Sequence, residues 1–277
     1  MAFGICSLAS SSAGNCYLLK TDNTSLILDC GISVKKIKEN LALKSVDIEE
    51  IDAVLITHEH IDHVKSLKAL LKKADEAFVY ASEGTFSGIR EKYSDIYTEL
   101  LLRGSNEKVV TCHPGETFEV GDINVTPFRV SHDTNEPIAY TFTAEGKRIS
   151  VVTDTGYVTD EIYAAIKTSD VLVIESNHEP EILLYGRYPY PVKQRILSDH
   201  GHLSNEACGE CLAKMIKELA GAKVPKVFLA HLSEENNTPE QALLTVRNYL
   251  EEEELFVGKD LELETLRKDQ ASRLIIA

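Results

Sequence analysis

The sequence predicts an α/β (α+β) fold in which two β-sheets are sandwiched between layers of helix. Three observations carry this reading. Strand-like segments fall into groups. Helical segments follow each group. The chain of 277 residues has no repeat, low-complexity tract or Pro/Gly-rich linker, so one domain over 1–277 is expected, with a C-terminal helix and hairpin from about residue 238.

The elements follow in order. Gly4–Leu8, Cys16–Lys20 and Ser25–Leu28 are short β-rich segments separated by polar turns. Ser33–Leu43 carries apolar residues at helical spacing. Ala53–Thr57 reads as a short buried strand, and Asp62–Ala74 as a helix with Val64, Leu67, Leu70 and Leu71 on one stripe. Thr117–Val120, Ile123–Val130, Ile138–Thr143 and Ile149–Thr153 form an antiparallel meander, turning at Gly121-Asp122 and Glu145-Gly146. Thr159–Lys167 is helical and Val171–Glu175 a strand; Asn205–Leu219 is helical, Val227–Ala230 a strand, and Pro239–Leu250 a helix. Leu261–Leu266 and Ser272–Ile276 alternate like an edge hairpin.

Charge and cysteines set limits. Lys plus Arg number 29 against 44 Asp plus Glu, a net charge of −15. Such a surface repels nucleic acid over most of its area and excludes a protein that coats DNA or RNA. The N-terminus lacks a basic region before its short apolar stretch, and no apolar run is long enough to span a bilayer, so a cytoplasmic location is expected. The six cysteines should then be reduced. Cys208 and Cys211 form a CxxC, but inside a helical segment and without a second pair, so helical coincidence outweighs a zinc knuckle or redox pair.

The informative segment is Thr57-His58-Glu59-His60-Ile61-Asp62-His63, with three histidines and an aspartate within six residues. On a helix His58 and His60 would face apart, so a turn after the preceding strand must present them. Imidazoles and a carboxylate suit Zn²⁺, Mn²⁺ or Fe²⁺. Further ligands recur where strands stop: His132 after Ile123–Val130, Asp154 after Ile149–Thr153, and His231 after Val227–Ala230. The expected centre holds two divalent metal ions, Mn²⁺ or Zn²⁺. His58, His60 and His132 take the first, Asp62, His63 and His231 take the second, and Asp154 bridges.

This set, in this order, resembles the metallo-β-lactamase-fold hydrolases. The resemblance implies a four-layer αββα sandwich with a dinuclear site at one edge. Four further stretches are similar to the YycJ/WalJ-type group: Ser7–Cys16, Glu175-Ser176-Asn177-His178, Tyr188–Pro191 with Lys193-Gln194-Arg195, and Gly201–Asn205. The likeness runs over nearly the whole chain and fades after about Asn237. Ala13 departs from the group's glycine-richer first loop. The group is related to transfer-RNA 3′-processing nucleases and to a phosphonate-pathway cyclic phosphodiesterase. It implies a dinuclear phosphodiesterase, a 5′-to-3′ DNA exonuclease with a metal-bridging hydroxide as nucleophile.

By the same resemblance His202, just before a helix, matches a histidine beside the substrate phosphate and is the catalytic candidate that protonates the leaving oxygen. The competing reading is a helix cap. Asp29 matches a carboxylate that orients a metal-bound imidazole, or else it binds turn amides. Tyr185–Arg195 carries three tyrosines, three basic residues and no acid, which suits a single-strand groove; Arg187, Tyr190, Lys193 and Arg195, with His178, are its expected substrate contacts. His113 and His200 read as ordinary surface or loop histidines. The expected partner is DNA, with no membrane; a homodimer stays open. The rivals are a small-molecule hydrolase acting on a cyclic phosphodiester, lactone or thioester, and a binding protein whose metal is structural.

Overall fold

The computed structural model describes residues 3–268 and 270–277. The first half runs β1 (Gly4–Ala9), β2 (Cys16–Lys20), β3 (Ser25–Leu28), α1 (Val34–Ala42), β4 (Ala53–Leu55), α2 (Ile61–Val64), α3 (Leu67–Leu71), β5 (Phe78–Ala81), α4 (Glu83–Lys92), α5 (Ser94–Gly104) and β6 (Val109–Thr111). The second runs β7 (Phe118–Val120), β8 (Ile123–Arg129), β9 (Ile138–Ala144), β10 (Lys147–Val152), α6 (Asp160–Ile166), β11 (Val171–Glu175), α7 (Pro180–Tyr185), α8 (Tyr190–Ile196), α9 (Asn205–Leu219), β12 (Lys226–Ala230), α10 (Pro239–Glu252), β13 (Glu262–Thr265) and β14 (Ile275–Ile276).

The strands make two seven-stranded sheets, ordered β14-β1-β2-β3-β4-β5-β6 and β13-β12-β11-β10-β9-β8-β7. In each sheet the strands earlier in the chain pair antiparallel and later ones parallel, the change falling at β3–β4 in one sheet and at β10–β11 in the other. The period of two along each strand explains the layers. Tyr17, Leu19, Leu26 and Leu28 point inward to meet Val125, Tyr140, Phe142, Val173 and Phe228 from the facing sheet. Leu18, Ile27 and Val54 point outward under Ile37, Leu41, Leu70, Ile89 and Leu100 of the flanking helices. On the other side Leu172, Ile174 and Leu229 pack against Ile162, Leu212, Val246 and Leu250. Three apolar cores between four layers make the αββα sandwich.

The β7–β10 meander has the expected order and antiparallel pairing. Two expectations are corrected. The helix read over Asp62–Ala74 is two short helices broken at Lys65–Ser66. The carbonyl of His63 accepts the N–H of Cys30 (2.7 Å), and the N–H of Ser66 donates to Cys30 O (3.0 Å). These two bonds tie the break to the chain after β3, so the carbonyl of His63 serves that strand rather than a continued helix. The C-terminal segments are not a hairpin. β13 lies parallel to β12 in the second sheet, and β14 lies antiparallel to β1 in the first. Each covers an edge that would otherwise expose unpaired ladder groups. Tyr185–Arg195, expected to suit a single-strand groove, runs from the last residue of α7 through a four-residue link into most of α8.

The elements from β5 to β6 were not read from the sequence. Helix α4 contains Gly84 and Gly88, poor helix formers. Gly88 is there for space: a Cβ would come within 2.5 Å of the Glu59 side chain.

Candidate metal centre

The site lies at one rim, where strands of both sheets end. Asp29 and His231 directly follow β3 and β12, Glu175 closes β11, Asp154 lies two residues beyond β10, and His58 and His132 lie three residues beyond β4 and β8. Three of these turn sharply: Asp29, Asp154 and His231 have φ of 57°, 58° and 53°. Non-glycine residues seldom adopt that conformation, and it collects where a side chain must be aimed at a functional site. Helix α2 then carries Asp62 and His63 into the same space.

The ring tautomers follow from the hydrogen bonds. His63 Nδ1 donates to Asp29 Oδ2 (2.8 Å). His132 Nδ1 donates to Gly201 O (3.0 Å). His231 Nδ1 donates to Glu175 Oε1 (2.9 Å). The Thr57 hydroxyl donates to Asp29 Oδ2 (3.0 Å) and so accepts from His58 Nδ1 (3.0 Å). Each bond keeps the ring's other proton on Nδ1 and turns Nε2 to the centre as the atom that can ligate a cation once it is unprotonated. Those nitrogens converge: His132 Nε2 is 3.2 Å from His60 Nδ1, and His63 Nε2 is 3.3 Å from both Asp62 Oδ2 and Asp154 Oδ2. His231 Nε2 is 3.4 Å from Asp154 Oδ1 and 3.6 Å from Asp62 Oδ2.

Two donor groups emerge, His58 with His60 and His132, and Asp62 with His63 and His231, each with its ligand atoms within 4.8 Å; Asp154 groups with members of both sets. His58 Nε2, Asp154 Oδ2 and His231 Nε2 are buried and form no hydrogen bond. Buried polar atoms are seldom left so, and two divalent cations, one at each donor group with Asp154 between, would satisfy all three. The donor set therefore fits divalent metal binding.

The electrostatics differ between the two halves. Burial, then the neighbouring His132, drives His60 down to about 4. Burial and the facing His63 hold His58 well below the usual imidazole range, and burial also lowers His132. In the other half burial pulls the same way but loses. Asp29, Asp62 and Asp154 raise His63 well above its ordinary value, and Asp154 with Asp62 and Glu175 pushes His231 up to about 10. Reciprocally, burial would raise Asp62, Asp154 and Glu175, yet facing histidines keep all three below the ordinary carboxylate range.

The structure brings His202 to this cluster. Its ring lies 5.0 Å from that of His132 and 5.3 Å from that of His231, and Nδ1 donates to Glu175 Oε1 (2.8 Å). Glu175 was missed as a functional residue. One of its oxygens serves both His202 and His231, and the other accepts the N–H of Thr155 (2.9 Å). The available signal was an acid closing an otherwise apolar strand. Asn15 was also missed; its amide reaches His63 Nε2 (3.2 Å) and Asp62 Oδ2 (3.4 Å). Glu59 faces away from the histidines beside it, is fully buried, and takes Lys92 Nζ (3.1 Å) and the N–H of Asn135 (3.3 Å), anchoring the histidine turn.

The expected substrate contacts fare differently. His178 is buried at 1% exposure, so it is not open to substrate; burial lowers it to about 4. Lys193 Nζ donates to the carbonyls of Leu184 (2.8 Å) and Gly186 (2.7 Å), closing the end of α7. Arg195 pairs with both oxygens of Asp133, whose Oδ1 is 3.5 Å from His132 Nε2, so it reaches the rim through that carboxylate. Arg187 and Tyr190 are exposed, and no hydrogen bond joins them to the cluster. Cys208 and Cys211 are buried in α9, in the outer core.

A four-layer sandwich with a buried histidine–carboxylate centre at its strand-end rim defines a metal-binding hydrolase fold. The chain belongs to the beta-lactamase superfamily, whose domain description matches residues 24–231, and within it to the YycJ/WalJ group. It is 38% identical over 256 residues to exodeoxyribonuclease YycJ of Bacillus anthracis, covering 92% of each chain. It is 38% identical over 267 residues to exodeoxyribonuclease WalJ of Streptococcus pneumoniae, covering 96% of this chain and 95% of that one. In fold it is similar to the metallo-β-lactamase fold protein YhfI of Bacillus subtilis, with a TM-score of 0.70 over 98% of this chain and 99% of that one at 15% identity. No helix among the described residues is long and apolar enough to cross a membrane.

Proposed function

We propose that the protein is a dinuclear metal-dependent phosphodiesterase that degrades DNA from a 5′ end. The observation that carries the reading is the convergence of two three-residue donor groups on Asp154, beside the Glu175–His202 pair. The 38% identity to two proteins named exodeoxyribonucleases, over almost the full length, supports DNA as the substrate.

His58, His60 and His132 would hold one ion and Asp62, His63 and His231 the other, with Asp154 between them. When bound, such ions supply Lewis-acid stabilisation of phosphate oxygens and an activated water. The protein's own residues do the rest. Asp29 fixes His63 and, through Thr57, His58, so both present Nε2. Glu175 holds the Nδ1 proton of His202 and leaves Nε2 to deliver a proton to the leaving oxygen. His202 keeps 13% side-chain exposure, so substrate can reach it, whereas the metal-ligand imidazoles of His63, His132 and His231 are almost sealed from water.

The test is digestion of 5′- and 3′-end-labelled single- and double-stranded DNA, with RNA alongside, under Mn²⁺ and Zn²⁺. Stepwise loss of 5′ nucleotides from DNA is expected. Internal cuts, or RNA degraded in preference to DNA, would overturn the reading.

A further inference from the structure

A cavity of about 520 Å³ opens beside the metal centre, between the β8–β9 connection and the loop after β10. His132 forms part of its wall, so the cavity adjoins the cluster at that residue, whose ring is itself almost closed to water. Its other lining residues hold no metal and take no part in the proton transfer assigned to His202.

Two rings face this space. Tyr157 is 46% exposed, a large aromatic left half uncovered three residues beyond Asp154. Its loop is fixed: the Thr155 hydroxyl donates to Tyr157 O (2.8 Å), and the N–H of Gly156 donates to Ser131 O (2.9 Å). Gly156 is required there, because a Cβ would lie 2.2 Å from the carbonyl oxygen of Asp199. His200 supplies the second ring, with Nδ1 3.1 Å from Ser131 Oγ. Val130 and Pro137 add apolar surface.

Charge decides what kind of group fits. The lining carries Arg129 against Asp160 and Glu161, a balance that disfavours a second phosphate. A neutral planar group is suited instead. The volume lies in the range of small-ligand pockets and accommodates one nucleoside. Aromatic rings stack on any base, which gives affinity without sequence preference.

Building on the DNA-exonuclease reading, we infer that this cavity is a nucleobase subsite. It receives the base of the terminal nucleotide whose phosphate lies at the cluster, with Tyr157 as the stacking face and His200 at the base edge. The subsite anchors a chain end without any extended basic track.

The experiment uses the metal-loaded full chain and two oligonucleotides, one with a normal 5′ nucleotide and one with a 5′ abasic tetrahydrofuran residue. The wild type should favour the base-bearing end by about tenfold in kcat/KM, mainly through KM, at the lower end of stacking contributions. Tyr157→Ala should bring the ratio to about one. Tyr157→Phe should keep it, and His200→Ala should reduce it partly. A wild type that digests both ends equally overturns the subsite while the exonuclease reading stands. A wild type inactive on both overturns both. A Tyr157→Ala variant that slows both substrates equally marks a structural role and also overturns the subsite.

Discussion

Loading the metal-free protein with Zn²⁺ should release protons from one half of the centre and almost none from the other. The first donor group is already deprotonated near neutral pH, because burial and mutual repulsion hold His60 at about 4 and lower His58 and His132. The second is not: His231 sits at about 10, and His63 is raised well above its ordinary value. A ligand nitrogen must lose its proton before it binds a cation. At pH 7, deprotonating a group with a pKa of about 10 costs three units, roughly 4 kcal/mol at about 1.4 kcal/mol per unit. The first ion should therefore bind with a nearly flat pH dependence between pH 6 and 8. The second should gain roughly tenfold per pH unit for each of the two protons displaced, up to about a hundredfold. Calorimetric titrations in two buffers of different ionisation enthalpy count the protons directly. The expectation at pH 7 is near zero for the first equivalent and about two for the second. Equal release in both steps, or two affinities that move in parallel with pH, would refute the reasoning.

Three other outcomes follow from the same geometry. Asp62→Ala should lower occupancy of the second position and turnover together, each by at least about tenfold; normal occupancy by metal analysis would remove Asp62 from the ligand set. His202→Ala should keep both ions and lose about 10²–10⁴ in kcat, and an unaffected rate would end its proton-transfer role. The metal-free protein should be most stable near pH 6.5, as read from melting temperature across pH. Below that value the lowered histidines His58, His60 and His132 favour the unfolded chain, which binds their protons more readily; near pH 4 and below, the depressed Asp62, Asp154 and Glu175 add to the loss. Above it, the stabilising protonation of His63 and His231 is progressively lost as pH rises toward their folded values. A stability that keeps rising to pH 8 would contradict the sign.

The residues that converge at the rim were legible because strand ends carry their own punctuation. An apolar run that stops at His132, Asp154 or His231 marks both the element and the direction in which the next side chain can turn. Glu175 was hidden by the same logic, since it reads as the last residue of a buried strand. Its role exists only because β11 and β12 run side by side, bringing His231 and His202 to one oxygen. Lys193 shows the opposite failure. A cation in an acid-free stretch suggests a phosphate contact, but the fold directs two of its donor hydrogens to carbonyls at the end of α7. The alternation in Leu261–Leu266 and Ser272–Ile276 identified extended chain, yet period two carries no information about which sheet edge a strand joins.

The net charge of −15 acquires a different meaning once the acids are located. Asp29, Asp62, Asp154 and Glu175 are gathered around the histidines, where bound cations would offset them. The cations expected to grip DNA are largely committed elsewhere: Lys193 to carbonyls and Arg195 to Asp133. A surface so acidic cannot hold a duplex along its length, because each neutralised phosphate needs a cation to displace its counterions. Affinity must then come from a few contacts at the rim. A chain end can present one phosphate to the cluster and one base to the adjoining cavity without passing its flanking phosphates across an acidic face. An internal segment cannot do so without that repulsion on both sides. The same acidity that excludes a DNA-coating protein thus favours attack at a terminus.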